Sequence, residues 1–385
     1  MSRKTLLKAG LVILCSMTLM SCSSIKSKET IGPLPKLEHA EGEADLIWKH
    51  GLLSKSKQYA RLEPKIDGDI LYAADHKGKI VAINKNTGKT IWSIKSNKPI
   101  SAGPSVVGQT LLVGTGHGEV LAYNKTDGQR KWRAGVPSEV LAPPNGNTDI
   151  LLVNTVDGKL TALDYETGVR LWIYDRSPPV LILRRSATPQ IVGDIALAGF
   201  ANGKVVALSK DTGSVLWERQ IAVPKGRSEL HRMVDIALDP VVEGDRIYVG
   251  SLKGNVSALS LYSGNVLWEK DIPAYQNLAV ESDVIYLTDT THTVWALEKN
   301  SGSILWQQDK LTKRPLTAPV VASGMVVVAD SKGVLYWLDQ STGKLVGYQK
   351  VVSDLMSEPV ISDNKLYLQG QNGTLAAVKI KPGKS

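Results

Sequence analysis

The chain holds a single Phe and only two Cys among its 385 residues. Two thiols are too few to staple a secreted domain, so a disulfide framework is excluded. Amphipathic runs of ten or more residues are missing as well. Glycines recur too often to leave room for them, and helical repeats go with them. No Lys/Arg run is interleaved with aromatic residues, so a stacking nucleic-acid surface is set aside. Nor is there a G-x-S-x-G elbow, an HExxH helix or a phosphate-cradling Gly loop. Gly114-Thr115-Gly116-His117-Gly118 is rich in glycine, but it joins two strands and opens no helix. The six histidines are scattered. His76, His117 and His292 fall in turns where Asp157, Asn202 and Lys253 serve in other repeats. No enzyme activity, metal or cofactor is expected of such a pattern.

What the chain does have is tryptophan at regular spacing. Thr87-Gly88 is followed by Trp92, Thr167-Gly168 by Trp172 and Thr212-Gly213 by Trp217. Looser copies pair Asp127-Gly128 with Trp132, Ser263-Gly264 with Trp268, and Ser301-Gly302 with Trp306. Trp48 begins the series without a Thr-Gly, and Thr342-Gly343 ends it with Gly347 in the Trp slot. A period of about forty residues held along the chain marks a repeat architecture, and eight slots mean eight units. A second series agrees, with Pro64, Pro104, Pro144, Pro189, Pro240, Pro319 and Pro359, and Leu278 filling the remaining slot.

One unit shows the logic. Residues 104–108 read as a first strand, 110–114 as a nearly continuous apolar second strand, 119–123 as a third and 129–132 as a fourth. Four short antiparallel strands per repeat is the signature of a propeller blade. A lone blade cannot bury both faces, so blades stack around an axis and Trp fills the gap between neighbours. Burying one such side chain contributes roughly 2–3 kcal/mol. The predicted fold is therefore all-β: an eight-bladed propeller of four-stranded antiparallel blades. The last unit lacks its own Trp strand. Residues 45–48 are predicted to supply it, closing the ring and removing an open sheet edge.

Residues 1–21 stand apart from the repeats. Arg3, Lys4 and Lys8 precede an apolar run at 9–20, too short for a mature membrane span. Leu19-Met20-Ser21-Cys22 resembles the bacterial lipobox, in which cleavage leaves a lipid-modified Cys at the new N-terminus. Ser23 follows that Cys, and by the same resemblance implies sorting to the outer membrane. The expected organisation is a signal peptide at 1–21, a lipidated Cys22 with a flexible tether at 22–43, and the propeller at 44–385. The formal charge of +9, less the three cations of the signal, is +6. A modest excess spread along the chain reads as a solvated basic face.

Function is expected where the repeats are not obeyed. The Trp slot lies 10 to 13 residues before the next Pro slot at most junctions, but 17 after Trp172 and 23 after Trp217. The 16 residues after Trp48 belong to the closing joint. Two neighbouring connections, 173–188 and 218–239, are thus enlarged, and both rise from one face of the ring. The first carries Pro178-Pro179-Val180-Leu181-Ile182-Leu183-Arg184-Arg185, an apolar run capped by two Arg that fits a protein-binding edge. A satellite core over the blade end is the other reading, and alternation along the run satisfies both. The second carries Lys225, Arg227, Glu229, His231, Arg232 and Asp235, a mixed set suited to an interface rim or simply to solvent.

The repeats resemble the PQQ-like family of eight-bladed propellers, with residues 162–172 and 207–217 matching its Ala…Thr-Gly-x-x-x-Trp signature. The quinoprotein dehydrogenases of that family are larger, hold a quinone beneath adjacent Cys residues and use calcium. The mature chain keeps only Cys22, so the resemblance does not extend to that chemistry. Signal, lipobox, tether and eight blades together are similar to the lipoprotein propellers of the outer-membrane β-barrel assembly (BAM) machinery. The most specific segments are Leu181-Ile182-Leu183-Arg184 with Ser186-Ala187, and Ser228-Glu229-Leu230-His231-Arg232-Met233-Val234-Asp235. The resemblance implies a non-catalytic scaffold, lipid-anchored at the periplasmic face of the outer membrane, that binds the POTRA domains of BamA. Carried over by position, Leu181, Leu183, Arg184 and Asp235 are the contact residues, and Ala237 replaces the second Asp of that segment. Two other readings stay open: a propeller that binds a quinone or other small ligand, and a chaperone-like binder of unfolded outer-membrane proteins. A ligand site requires convergent polar groups at the axis.

Overall fold

A computed structural model describes residues 31–37, 42–55, 61–175, 179–274, 276–355 and 357–381. The lipobox, Cys22 and the start of the tether lie outside them. The described chain is all strand and turn, folded as eight four-stranded antiparallel sheets with one short added strand. The expected blade at 104–132 is observed as Ile100–Val107, Thr110–Thr115, Glu119–Asn124 and Arg130–Gly135. Its fourth strand runs past the expected end, so Trp132 is central in it. In the other blades the first strand starts directly after the Pro slot, as at Lys65–Asp67, Gln190–Val192 and Val360–Ser362. Proline needs no ladder hydrogen bond there. First strands touch one another at most blade junctions and so ring the axis.

The ring closes as the sequence predicts. Glu43–Gly51 lies antiparallel on Thr374–Lys381, with Glu43 opposite Lys381 and Gly51 opposite Thr374. Blade 8 is therefore made from both ends of the chain. Asp45 pairs with Lys381, and Gln349 of blade 7 exchanges two hydrogen bonds with the backbone of Ala44, at 3.1 and 2.9 Å.

The repeat motif works between blades rather than within one. Each indole N–H reaches a backbone carbonyl in the next blade: Trp92 to Lys125 at 3.1 Å, Trp132 to Tyr165 at 3.0 Å, Trp172 to Lys210 at 2.7 Å. Trp48, Trp217, Trp268 and Trp306 repeat the contact with Lys85, Leu261, Lys299 and Gln340. That carbonyl always stands three residues before the turn glycine. The glycine has φ near +70°, and a Cβ on Gly168 would lie 2.6 Å from the Trp132 ring. Glycine is thus demanded twice, by the left-handed turn and by the indole pressed against it. The net hydrogen bond adds about 1 kcal/mol to each indole's burial.

The closing joint does more than expected. Ser54 N–H donates to Asp75 at 2.7 Å, and further on Arg61–Leu62 pairs in parallel with Ala102 and Gly103 of blade 2. This carries Arg61 to the axis.

Candidate docking face

Both enlarged connections lie on one face, and the structure brings them into contact. In the first, Val180 is 90% exposed and Leu181 40%, whereas Ile182 and Leu183 are half-buried. The run is a low ridge, apolar on its outer side and seated on its inner side. Three anchors hold it. Leu183 N–H donates to Asp235 Oδ1 at 2.8 Å. Arg184, half-exposed, places one Nη on both oxygens of Glu139 at 2.7 and 2.6 Å, reaching back to the preceding inter-blade connection. At the inner end, Arg61 Nη1 donates to the Ser186 carbonyl at 3.0 Å and to the Thr188 hydroxyl at 3.1 Å.

Asp235 is not a rim residue. It is 1% exposed, beneath the ridge, and its Oδ2 is buried without a hydrogen-bond partner. Burial pushes its carboxyl up to about 6, against the opposing pull of the Leu183 N–H. Its place is that of a positioning residue under Leu183. Lys225, Arg227, Glu229, His231 and Arg232 are exposed as expected of a rim, and with them Val223 and Leu230 at 59% and 61%. The face therefore presents Val180, Leu181, Val223 and Leu230 among Arg184, Arg227 and Arg232.

The axis does carry convergent polar groups, and most of them bond to one another, while Arg185 Nη2, 3.9 Å from Glu358, is buried without a hydrogen-bond partner. Arg61 pairs with Asp239 through both Nη atoms, at 2.8 and 2.5 Å, and with Glu63 at 3.1 Å. Burial works against charge on Arg61, and the two carboxylates outweigh it, holding the guanidinium well above its usual range. Burial likewise acts to raise Asp239, and Arg61 outweighs it, holding the carboxyl low. Asn277 accepts from Asp239 N–H at 2.9 Å and donates to Glu358. Burial and the nearby Glu63 push Glu358 up to about 7. Among the described residues no group of three or more His, Cys, Asp or Glu could hold a metal ion. His76 Nδ1 lies 3.0 Å from the Ile100 carbonyl and His292 Nδ1 accepts from Leu316 N–H at 3.3 Å, both in turns.

Glu139, Arg61 and Asp239 escaped the reading of the sequence. Glu139 lies in a connection of ordinary length, which carries no signal. Arg61 lies in the 16-residue joint, whose length was the available clue.

A closed eight-bladed PQQ-type propeller, with its departures from the repeat gathered on one face, defines a binding scaffold. Residues 76–308 and 299–385 match the family described as outer membrane protein assembly factor BamB. The chain belongs to that family, one of assembly factors rather than enzymes, which act at the outer membrane in BAM. It is 38% identical to outer membrane protein assembly factor BamB of Pseudomonas aeruginosa over 97% of this chain and 99% of that protein. Identity to the Alkalilimnicola ehrlichii protein of the same name is 43%, over 85% of each. The crystal structure of BamB from Moraxella catarrhalis shares the fold, with a TM-score of 0.79 at 24% identity over 88% of this chain and all of that one.

Proposed function

We propose that this protein is lipid-anchored through Cys22 at the periplasmic face of the outer membrane and docks the POTRA domains of BamA on the ridge at 180–184. In this reading Leu181, Leu183 and Arg184 make the contact, and Asp235 sets the ridge from below. The observation that carries it is the preformed ridge itself. Its backbone is bonded at Leu183, its guanidinium is held at Glu139 and its inner end is tied to Arg61, while its apolar side remains in solvent. Preorganised loops lose little conformational entropy on binding, and an apolar anchor beside Arg is the composition of a hot spot.

The test is a titration against the POTRA domains beside a thermal melt. Leu183→Ala with Arg184→Ala is expected to weaken capture by about 2 kcal/mol or more while the melting temperature barely moves. Undiminished capture would remove the ridge from the interface.

A further inference from the structure

Residues 31–37 lie on the propeller, where the sequence predicts free tether. Gly32 N–H donates to the Lys313 carbonyl at 3.0 Å, and the Gly32 carbonyl accepts from Arg314 Nη1. A Cβ on Gly32 would stand 2.6 Å from the Lys313 Cβ. Leu37 packs against the apolar cluster that contains Leu311, Leu316 and Val334. Pro33 and Pro35 keep the chain extended between these two points.

The receiving site is built. Arg314 is 7% exposed, and its Nε donates to Asp330 Oδ2 at 2.6 Å. The same oxygen accepts from the Tyr336 hydroxyl at 2.8 Å, and the guanidinium stands 5.9 Å from that ring. Burial and the Asp330 carboxylate push the Tyr336 phenol far above its usual range. The repeat does not ask for this arginine. The isolated bridges Leu316–Asp330, Val140–Thr155 and Leu355–Gly370 align three connections, and Ser138 and Ser353 stand where Arg314 does.

We propose that Arg314 and the 309–319 connection form a docking clamp for the protein's own N-terminal tether. The clamp pins residues 31–37 to the face that carries the ridge. Its orienting consequence rests on the Cys22 anchor proposed above. From Cys22 to Gly32 the chain can reach at most about 35 Å, against about 75 Å for an unclamped tether up to residue 43. The clamp therefore holds the docking face close to the bilayer, at a limited range of heights and tilts.

The experiment uses the full acylated chain in detergent and then in vesicles. In the wild type, Gly32 N–H is expected to exchange slowly and trypsin to cut after Lys36 about ten-fold more slowly than after Lys26 or Lys28. Gly32→Val and Leu37→Asp, which leave every blade intact, should each abolish that difference. Equal cleavage at the three lysines in the wild type overturns the clamp. In vesicles, fluorescence transfer from a label at position 180 to the membrane surface should fall and broaden with Gly32→Val. Protection in detergent with no such change in vesicles keeps the clamp and overturns its orienting role. An unacylated Cys22 overturns the anchor reading instead.

Discussion

Trp337 stands directly opposite Gly347 across the third and fourth strands of blade 7. Elsewhere that pair is Ala opposite Trp, as in Ala82–Trp92, Ala122–Trp132, Ala162–Trp172 and Ala377–Trp48. The large side chain has changed strands, and a Cβ on Gly347 would meet the Trp337 indole at 2.4 Å. Chain closure gives the reason. The third and fourth strands of blade 8 come from opposite ends of the chain, so that blade has no turn under which a blade 7 fourth-strand Trp could lock. Trp337 fills the gap from the inner strand instead, 1% exposed among Leu335, Leu368 and Val378.

Trp337→Ala should therefore cost about 3–5 kcal/mol in a denaturant titration. Gly347→Trp alone should also destabilise, through overlap. The double exchange, which restores the Ala–Trp pair, should be less damaging than the sum of the two. Additive losses would show that the two sites do not share one space.

Gly168 and Gly193 both have positive φ, at +71° and +58°. Only Gly168 has an indole against it; a Cβ on Gly193 would meet nothing within 4 Å. Alanine at 193 should cost about 1 kcal/mol, from backbone strain alone. Alanine at 168 should cost a further 1–3 kcal/mol by pushing Trp132 from its seat. Indole fluorescence recorded with the melts would report the displacement directly.

Asp235 is raised to about 6 by burial. The folded protein thus favours the protonated form. That contribution is whole below pH ~4, the ordinary carboxylate range, and is lost as pH rises through 6. Asp235→Asn keeps an acceptor for Leu183 N–H without the charge, so it should melt above the wild type at pH 8 and converge with it near pH 4.5. Asp235→Ala removes the acceptor and should weaken POTRA capture with the ridge sequence unchanged. Parallel pH curves for Asn and wild type would show that the carboxyl does not titrate in this window.

Truncation should be graded. Loss of residues 23–30 is expected to leave the melting temperature unchanged, and loss through residue 37 to lower it slightly, by the clamp and Leu37. Loss through Trp48 removes the closing strand and its indole, and should lower it sharply. Equal melting of the last two proteins would mean that the ring does not depend on its closing strand.

The exposed run at 180–184 was legible because it breaks a period that the blades obey, and so was the crowded neighbour at 218–239. Asp235 was singled out as well, but as a contact residue; the pairings beneath the ridge were not legible. Glu139 lies 45 residues from Arg184, Arg61 lies 125 from Ser186 and 127 from Thr188, and Asp235 lies 52 from the Leu183 that it holds.

 All of these bonds join segments that belong to different blades or connections, and that is the reason a local pattern does not reveal them.

The sequence by itself determined the number of blades, the position of each turn and Trp, the closure by an N-terminal strand, and the two connections that depart from the repeat. Each is written in a local pattern: a strand alternates or stays apolar, a turn needs glycine, and a period counts units. Only the tertiary structure decided which residues meet. It set Gly168 against Trp132 of the preceding blade rather than Trp172 of its own motif, turned Asp235 inward beneath Leu183, and laid Gly32 on Arg314, 282 residues away. The physical reason is that closing a ring brings together segments remote in the chain, and their partners are chosen by burial and by unsatisfied hydrogen-bonding groups that exist only once the blades have stacked.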